Sequence, residues 1–456
     1  MRHRNLLIAS AAVLLLLLLV VPQVQQVGAK GDPASKMTAE LIKQMSAAKP
    51  DEMVTAVVKM RAVANLNGIQ GVKAPVFAEL RRTATMSQAG LVSYLNAPDV
   101  QSRVSVVRPF WIDNIVLVKA TKDVILELAS RDDVSEVFDN FTLTLPPKPE
   151  KLDGPQGASM QVPLWDSLQL IGAKQVWLTY GFTGAGVRVG GLDTGVDISH
   201  PDIAGKMITN NPADPTYPGG WAEFDGSGNI IVGSVPHDSD QHGTHTTGTM
   251  IGGSASGYAI GVAPGANLMH GLVIPGGSGS FTQVAAGMEW IIDPDNNPMT
   301  DDGAQVVNMS LGATGIYTQM VAPTDNMVAA GVFPSFSIGN AGPGASTTGS
   351  PGNVPSAFGV GATDLNDVIA YFSSRGPVTW NFPPYVGTYT KPDISAPGVD
   401  IFSSVPGGSW EYVGWSGTSM AAPHMSGTVA LMLQANPALT VDMAKQLVTQ
   451  TALDLG

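Results

Sequence analysis

Cysteine is absent from all 456 residues, which excludes disulfides and cysteine-held metal and fits a chain exported without an oxidative folding step. Charged residues are scarce at 13%, against 44% hydrophobic, so the chain lacks the composition that keeps a polypeptide disordered. Histidine is missing between His3 and His200, which deprives the N-terminal third of the commonest general base. Basic residues run short after residue 150, where 7 Lys+Arg face 23 Asp+Glu. Before it, 17 Lys+Arg face 14 Asp+Glu, so a balance of +3 precedes one of −16. So large an acidic excess excludes nucleic acid as a partner of the C-terminal part. The opposite signs predict that the basic part is steered onto the acidic one. No repeat at solenoid periods occurs, and 52 Gly and 33 Pro mark a loop-rich globular chain of two or three domains.

What is present begins with Met1-Arg2-His3-Arg4-Asn5, a short basic start, followed by an apolar run over 6–21 interrupted only by Ser10. Sixteen residues are short for a membrane span and fit the core of a signal peptide. Val27-Gly28-Ala29 offers the small residues of a cleavage site, so 1–29 is expected to be a signal peptide and the protein secreted, with membrane contact only through that segment. The alternative is an uncleaved anchor. Residues 30–150 follow the order β-α-β-β-α-β, with strands over 53–60, 104–107, 114–120 and 134–145 and helices over 75–95 and 122–131. That is the order of a ferredoxin-like split βαβ unit, an α+β domain. Prolines at 146, 147 and 149, then Gly154-Pro155, make 151–165 a stiff linker. From 166 to 456 strands alternate with helices, which predicts an α/β, three-layer α/β/α domain with a mostly parallel sheet. Its strands are expected at 187–192, 268–274, 306–309, 332–338 and 358–362, and its helices at 242–251, 282–292, 325–330, 419–434 and 441–451.

Four residues of this second domain carry candidate chemistry. Ser419 lies in Gly417-Thr418-Ser419-Met420-Ala421-Ala422-Pro423-His424, a glycine turn entering a helix whose first turn tolerates Pro423. Unpaired N–H groups and the dipole there favour developing negative charge, although capping alone explains an isolated serine. Asp193, in Leu192-Asp193-Thr194-Gly195, ends a buried strand at the sheet edge where α/β ligands bind. Asp-Thr-Gly is also the aspartic-protease signature, but that mechanism needs two such carboxylates and a second is absent. His242, in His242-Gly243-Thr244-His245, lacks the following Glu of a His-Glu-x-x-His zinc site and suits a general base oriented by an aspartate. His245 reads as structural, bonded within its loop. Asn340, in Gly339-Asn340-Ala341-Gly342-Pro343, fits a turn, or an amide donor to an oxyanion beside the Ser419 N–H.

Singly these signals are weak, but the order Asp, His, Asn, Ser is that of one protease architecture. The segments GGLDTGVDISHPDI, DQHGTHTTGTM, IGVAPGANL, VVNMSLG, FSIGNAGP, KPDISAPGVDI and GTSMAAPHMSGTVAL resemble those of subtilisin-type serine proteases. MEWIIDP and the Trp-containing region 218–224 are most similar to the bacillopeptidase F branch. The resemblance implies Ser419 as nucleophile, His242 as general base then acid, Asp193 as its orienter and Asn340 as oxyanion donor. It implies polypeptide substrates held between Gly277-Ser278-Gly279 and Ser310-Leu311-Gly312, with Gly349 at the floor of the P1 pocket and Phe281 near P4. Residues 30–150 resemble the family's pro-domain, an intramolecular chaperone and inhibitor whose C-terminal tail occupies the active-site cleft, so a self-processing zymogen is expected. No cofactor is required for the chemistry; structural calcium is compatible, with Asp202 as ligand, although the partner loop at 252–257 lacks the family's Asn-rich ligands. The chain stops at Gly456 where the family continues with a strand and a helix, so that last segment is expected to be missing. The rival expectation is a catalytically inactive, membrane-anchored binding or scaffold protein with the same fold.

Overall fold

The computed structural model describes residues 32–149, 167–209, 219–411 and 413–454. The expected signal segment and linker lie outside these residues. Among the described residues no helix is long and apolar enough to cross a membrane.

The N-terminal unit is built on a four-stranded sheet in the order Val104–Phe110, Ile115–Ala120, Val54–Met60, Val134–Asp139, with all three neighbouring pairs antiparallel. Side chains of a strand alternate between faces. Ala56, Val58 and Met60 therefore enter one apolar cluster with Leu41, Leu91, Val124 and Leu128 of the unit's own helices. Val57, between them, joins Leu117 and Phe138 in a second cluster that extends into the other unit. Helix Lys73–Leu95 starts two residues earlier than the sequence suggested, with Pro75 in its first turn, where a missing N–H costs little.

The second unit is a seven-stranded sheet in the order Ile394–Pro397, Phe358–Thr363, Phe333–Ser337, Val306–Met309, Arg188–Asp193, Asn267–Leu272, Trp221–Glu223. Every neighbouring pair is parallel. Helices His242–Ile251 and Thr418–Ala435 pack together on one face, and helices Phe281–Ile292 and Val321–Ala329 cover the other. This is the three-layer α/β/α arrangement, with central strands buried on both faces and mostly apolar. Chain order reverses on either side of Arg188–Asp193, which makes the carboxyl end of that strand a topological switch point.

Several boundaries differ from expectation. The strand expected to reach 274 stops at Leu272, because the Val273 and Ile274 N–H groups turn to the Asp193 carbonyl. The helix expected at 325–330 begins at Val321, with Pro323 in its first turn. The edge strands Trp221–Glu223 and Ile394–Pro397, and the hairpin Val378–Phe382 with Tyr385–Tyr389, were not anticipated.

The two units meet along helix Phe281–Ile292. Phe138 packs edge-on to Phe281 with centroids 5.4 Å apart, and Phe141 stacks between Phe281 at 5.0 Å and Tyr317 at 4.6 Å. Buried Glu289 on the same helix accepts hydrogen bonds from the backbone N–H groups of Trp111 and Ile112 in the Phe110–Ile115 turn.

Candidate active site

Asp193 ends its strand with a side chain 1% exposed. Its Oδ1 accepts from Nδ1 of His242 at 2.7 Å and from the Thr194 N–H at 2.7 Å, and Oδ2 accepts from Thr246 Oγ1 at 3.3 Å. His242 is the first residue of its helix, and the close approach of two glycines sets it there. A side chain on Gly243 would collide with the Gly195 carbonyl oxygen, and one on Gly195 with the His237 carbonyl oxygen. Asp238 closes the arrangement from the loop before the helix. Its Oδ2 accepts from the Thr244 N–H at 2.7 Å, and its Oδ1 accepts from Thr194 Oγ1 at 2.8 Å and from the Gln241 N–H at 2.9 Å. Burial of the His242 imidazole pulls its pKa down, but the Asp193 charge and hydrogen bond, aided by Asp240 and Asp238, outweigh that, and the pKa stands above the ordinary histidine value.

Ser419 is the second residue of helix Thr418–Ala435, whose first-turn N–H groups have no intrahelical partners. Ser310 lies directly beneath it, its hydroxyl donating to the Ser419 carbonyl at 2.9 Å. The Ser419 hydroxyl donates to the Ser310 carbonyl at 3.4 Å and not to His242. Asn340 follows strand Phe333–Ser337. Its Oδ1 accepts from both the N–H and the hydroxyl of Thr418 at 2.9 Å, which fixes the amide and turns Nδ2 toward the cleft. Asp193, His242, Asn340 and Ser419 thus converge at the carboxyl ends of the sheet strands and the first turns of two adjacent helices.

The cleft is filled by the chain itself. Strand Thr142–Thr144 runs antiparallel to Ser278–Ser280, with Leu143 opposite Gly279. On its other side Thr144 exchanges both backbone bonds with Gly312, at 3.0 and 2.9 Å. The Leu145 N–H then donates to the Gly277 carbonyl at 3.0 Å, and the Pro147 carbonyl accepts from Asn340 Nδ2 at 3.0 Å. Lys148 follows, its ammonium 5.5 Å from the centroid of the Trp415 ring. The segment is therefore the middle strand of three, and its carbonyl at 147 rests on the Asn340 amide.

The remaining expected residues fall as follows. Leu311 is buried beside the cleft, and Phe281 is fully covered by Phe138 and Phe141. Gly349 pairs with Thr314, just past Gly312, so it lies against that wall of the cleft. Asp202 has protein donors on both oxygens, Ala255 N–H on Oδ1 and Trp410 Nε1 on Oδ2, each at 2.6 Å. His245 is structural, but its partner is the Ile401 carbonyl at 3.0 Å, far outside its own loop, and its ring stacks on Trp415. Burial, then the neighbouring His242, push its pKa down to about 3 and keep it neutral. Sequence reasoning missed Asp238, Thr194 and Thr246. No local signal marked Asp238, which lies three residues before the N-cap Gln241 and reaches the Thr244 N–H across the loop. No pattern announced that Pro147 would reach Asn340.

A family model described as the subtilase family matches residues 184–456. Over 437 residues the chain is 34% identical to bacillopeptidase F of Bacillus subtilis (strain 168), an alignment covering 91% of this chain and 29% of that protein. It is 34% identical over 280 residues to subtilisin E of the same organism, covering 60% of this chain and 63% of the relative. With subtilisin of Bacillus pumilus the identity is again 34% over 280 residues, covering 60% of this chain and 87% of that one. A crystal structure of a cold adapted subtilisin-like serine proteinase superposes with a TM-score of 0.47 at 29% identity, covering 60% of this chain and 85% of that one. The chain thus spans under a third of bacillopeptidase F and under two thirds of subtilisin E.

Proposed function

This chain belongs to the subtilase family, and from that premise we propose that it is a secreted serine endopeptidase made as a self-processing zymogen. The observation that carries the proposal is the peptide in the cleft, a strand paired on both sides whose Pro147 carbonyl rests on Asn340. A substrate bound in this way places a carbonyl carbon before Ser419. The hydroxyl leaves the Ser310 carbonyl and turns to His242, a bond of a kind that tightens only in the reacting complex. Ser419 Oγ attacks, His242 Nε2 takes the proton, and Asp193 holds the tautomer and stabilises the imidazolium. Asn340 Nδ2 and the Ser419 N–H receive the oxyanion. His242 returns the proton to the departing amine, and water resolves the acyl-enzyme by the same steps.

Within this reading 1–29 is the signal peptide, 30–150 the inhibitory pro-domain, 151–165 the linker and 166–456 the catalytic domain, with processing within roughly 145–165. The antiparallel order of the N-terminal sheet supports the ferredoxin-like assignment of the pro-domain. Its own tail in the cleft supports an inhibitory role. Gly277-Ser278-Gly279 and Ser310-Leu311-Gly312 take substrate backbone, Gly349 borders the P1 side chain, and Phe281 supports the P4 region.

A fluorophosphonate probe tests the chemistry, since only an activated serine reacts. The matured protein is expected to label at Ser419, while a Ser419→Ala chain stays unlabelled and accumulates as precursor. An unlabelled wild type, or a Ser419→Ala chain that matures unaided, defeats the proposal.

A further inference from the structure

Helix Phe281–Ile292 leads into an acidic loop at the seam between the two units. Asp293, Asp295 and Asp302 each bring a carboxylate oxygen within 4.8 Å of the others. Asp301 is occupied separately, its Oδ1 shared by Lys73 at 3.0 Å and Arg188 at 2.9 Å. Asp293 has a side chain 1% exposed, and its Oδ2 takes Arg81 Nη2 of the N-terminal unit at 2.6 Å. Yet Asp293 Oδ1 is buried with no partner, and so is Asp302 Oδ2.

A buried, unpartnered carboxylate oxygen is costly, and two in one cluster mark a place where a ligand belongs. Charge leads to the same point. Three carboxylates carry −3, and Arg81 returns only +1, leaving −2 at the cluster. The loop is thus more than a receptor for Arg81, which satisfies one oxygen and neutralises one charge.

We propose that Asp293, Asp295 and Asp302 hold a divalent cation, and that calcium is the ion their chemistry selects. The donors are all hard oxygens, which excludes soft and imidazole-seeking metals. They lie on an irregular loop, and calcium accepts irregular shells of six to eight oxygens completed by carbonyls and water, where magnesium demands a near-ideal octahedron. Asp295 is partly exposed and leaves a path for entry. Because Asp293 serves the ion with one oxygen and Arg81 with the other, the ion also braces the seam between the units.

Calorimetric titration of the chelator-treated full chain with calcium chloride tests this, with Ser419→Ala present to prevent self-cleavage. The readout is cation binding, so it stands whether or not the chain hydrolyses peptides. One saturable site is expected, with a Kd of about 10⁻⁴ M or tighter. Asp295→Asn and Asp302→Asn should each weaken it at least about tenfold by removing a charged ligand, while Asp51→Asn, on the exposed surface of the N-terminal unit, should leave it unchanged. Asp295 is partly exposed and lies outside the apolar core, so its replacement tests the site with little risk to the fold. A wild type without saturable uptake, or variants that bind as it does, overturns the assignment.

Discussion

At Asp193 a single carboxylate oxygen carries two bonds of 2.7 Å, from the His242 ring and from the Thr194 N–H. The second bond holds the carboxylate still while the first aligns the imidazole, so the couple depends on a charge and on an angle. Replacing Asp193 with Asn keeps the shape but removes the charge and allows the wrong ring tautomer. The expected loss in kcat is about 10⁴-fold. The couple also sets the acid limb of the pH profile. His242 must be neutral to act as a base, and its pKa lies above the ordinary value because Asp193 more than offsets burial. Activity should therefore fall as pH drops through a value above that of free histidine. In Asp193→Asn, where only Asp240 and Asp238 still oppose burial, the residual activity should persist to lower pH. A limb that stays in place when the carboxylate is removed would mean that another group titrates.

Two elements deliver these side chains, a strand that stops at a switch point and a helix that starts beside it. What lets them touch is backbone contact between Gly195 and Gly243. Gly243→Ala should force the helix start away from the strand end, and a displacement near 1 Å there costs about 10²-fold in turnover. Stability should fall by about 1–3 kcal/mol through overpacking. Kinetics and thermal unfolding of the one variant would expose a different order of effects. At this scale the sequence was most readable. Long apolar periodic segments such as 281–292 and 418–435 announced themselves, as did strands rich in β-branched residues. Trp221–Glu223 and Ile394–Pro397 did not, because three or four residues carry no period and proline argues against a strand. The four chemical candidates are weak one by one and could be singled out only through their order along the chain. Asp238 and Thr194 could not be, since their work consists of bonds between segments that only folding brings together.

The whole molecule is an acidic domain wearing a slightly basic one, and the opposite signs meet in the Arg81–Asp293 and Lys73–Asp301 pairs. The Lys73–Asp301 pair, with Asp301 exposed, guides encounter more than it holds, and the aromatic contacts around Phe281 supply the apolar seam. Glu289 is the exception in that seam. Burial drives its pKa up to about 7, against the weaker opposing pull of the Ile112 N–H, Arg108, the Trp111 N–H and Arg81. A carboxyl raised above its unfolded value contributes stability that is full below the unfolded pKa and is lost as pH rises through the folded one. Glu289→Gln keeps an acceptor for the Trp111 and Ile112 N–H groups without the titration. Relative to wild type in the Ser419→Ala background, this variant should therefore gain stability between pH 5 and pH 8, by up to about 3 kcal/mol. Thermal melts of the two proteins across that range read the difference directly, and parallel curves would show that Glu289 stays ionised throughout.

The strand formed by residues 142–145 is recognised almost wholly through its main chain, whose N–H and C=O groups every sequence shares. For the proposed endopeptidase, an incoming polypeptide must present a stretch of about six residues, near 20 Å at about 3.3 Å each, with its own backbone pairing undone. A folded domain exposes such a stretch only as often as it opens locally. Susceptibility to this cleft is then governed by how readily a target breathes, and the map of its cuts would be a map of where other proteins are soft.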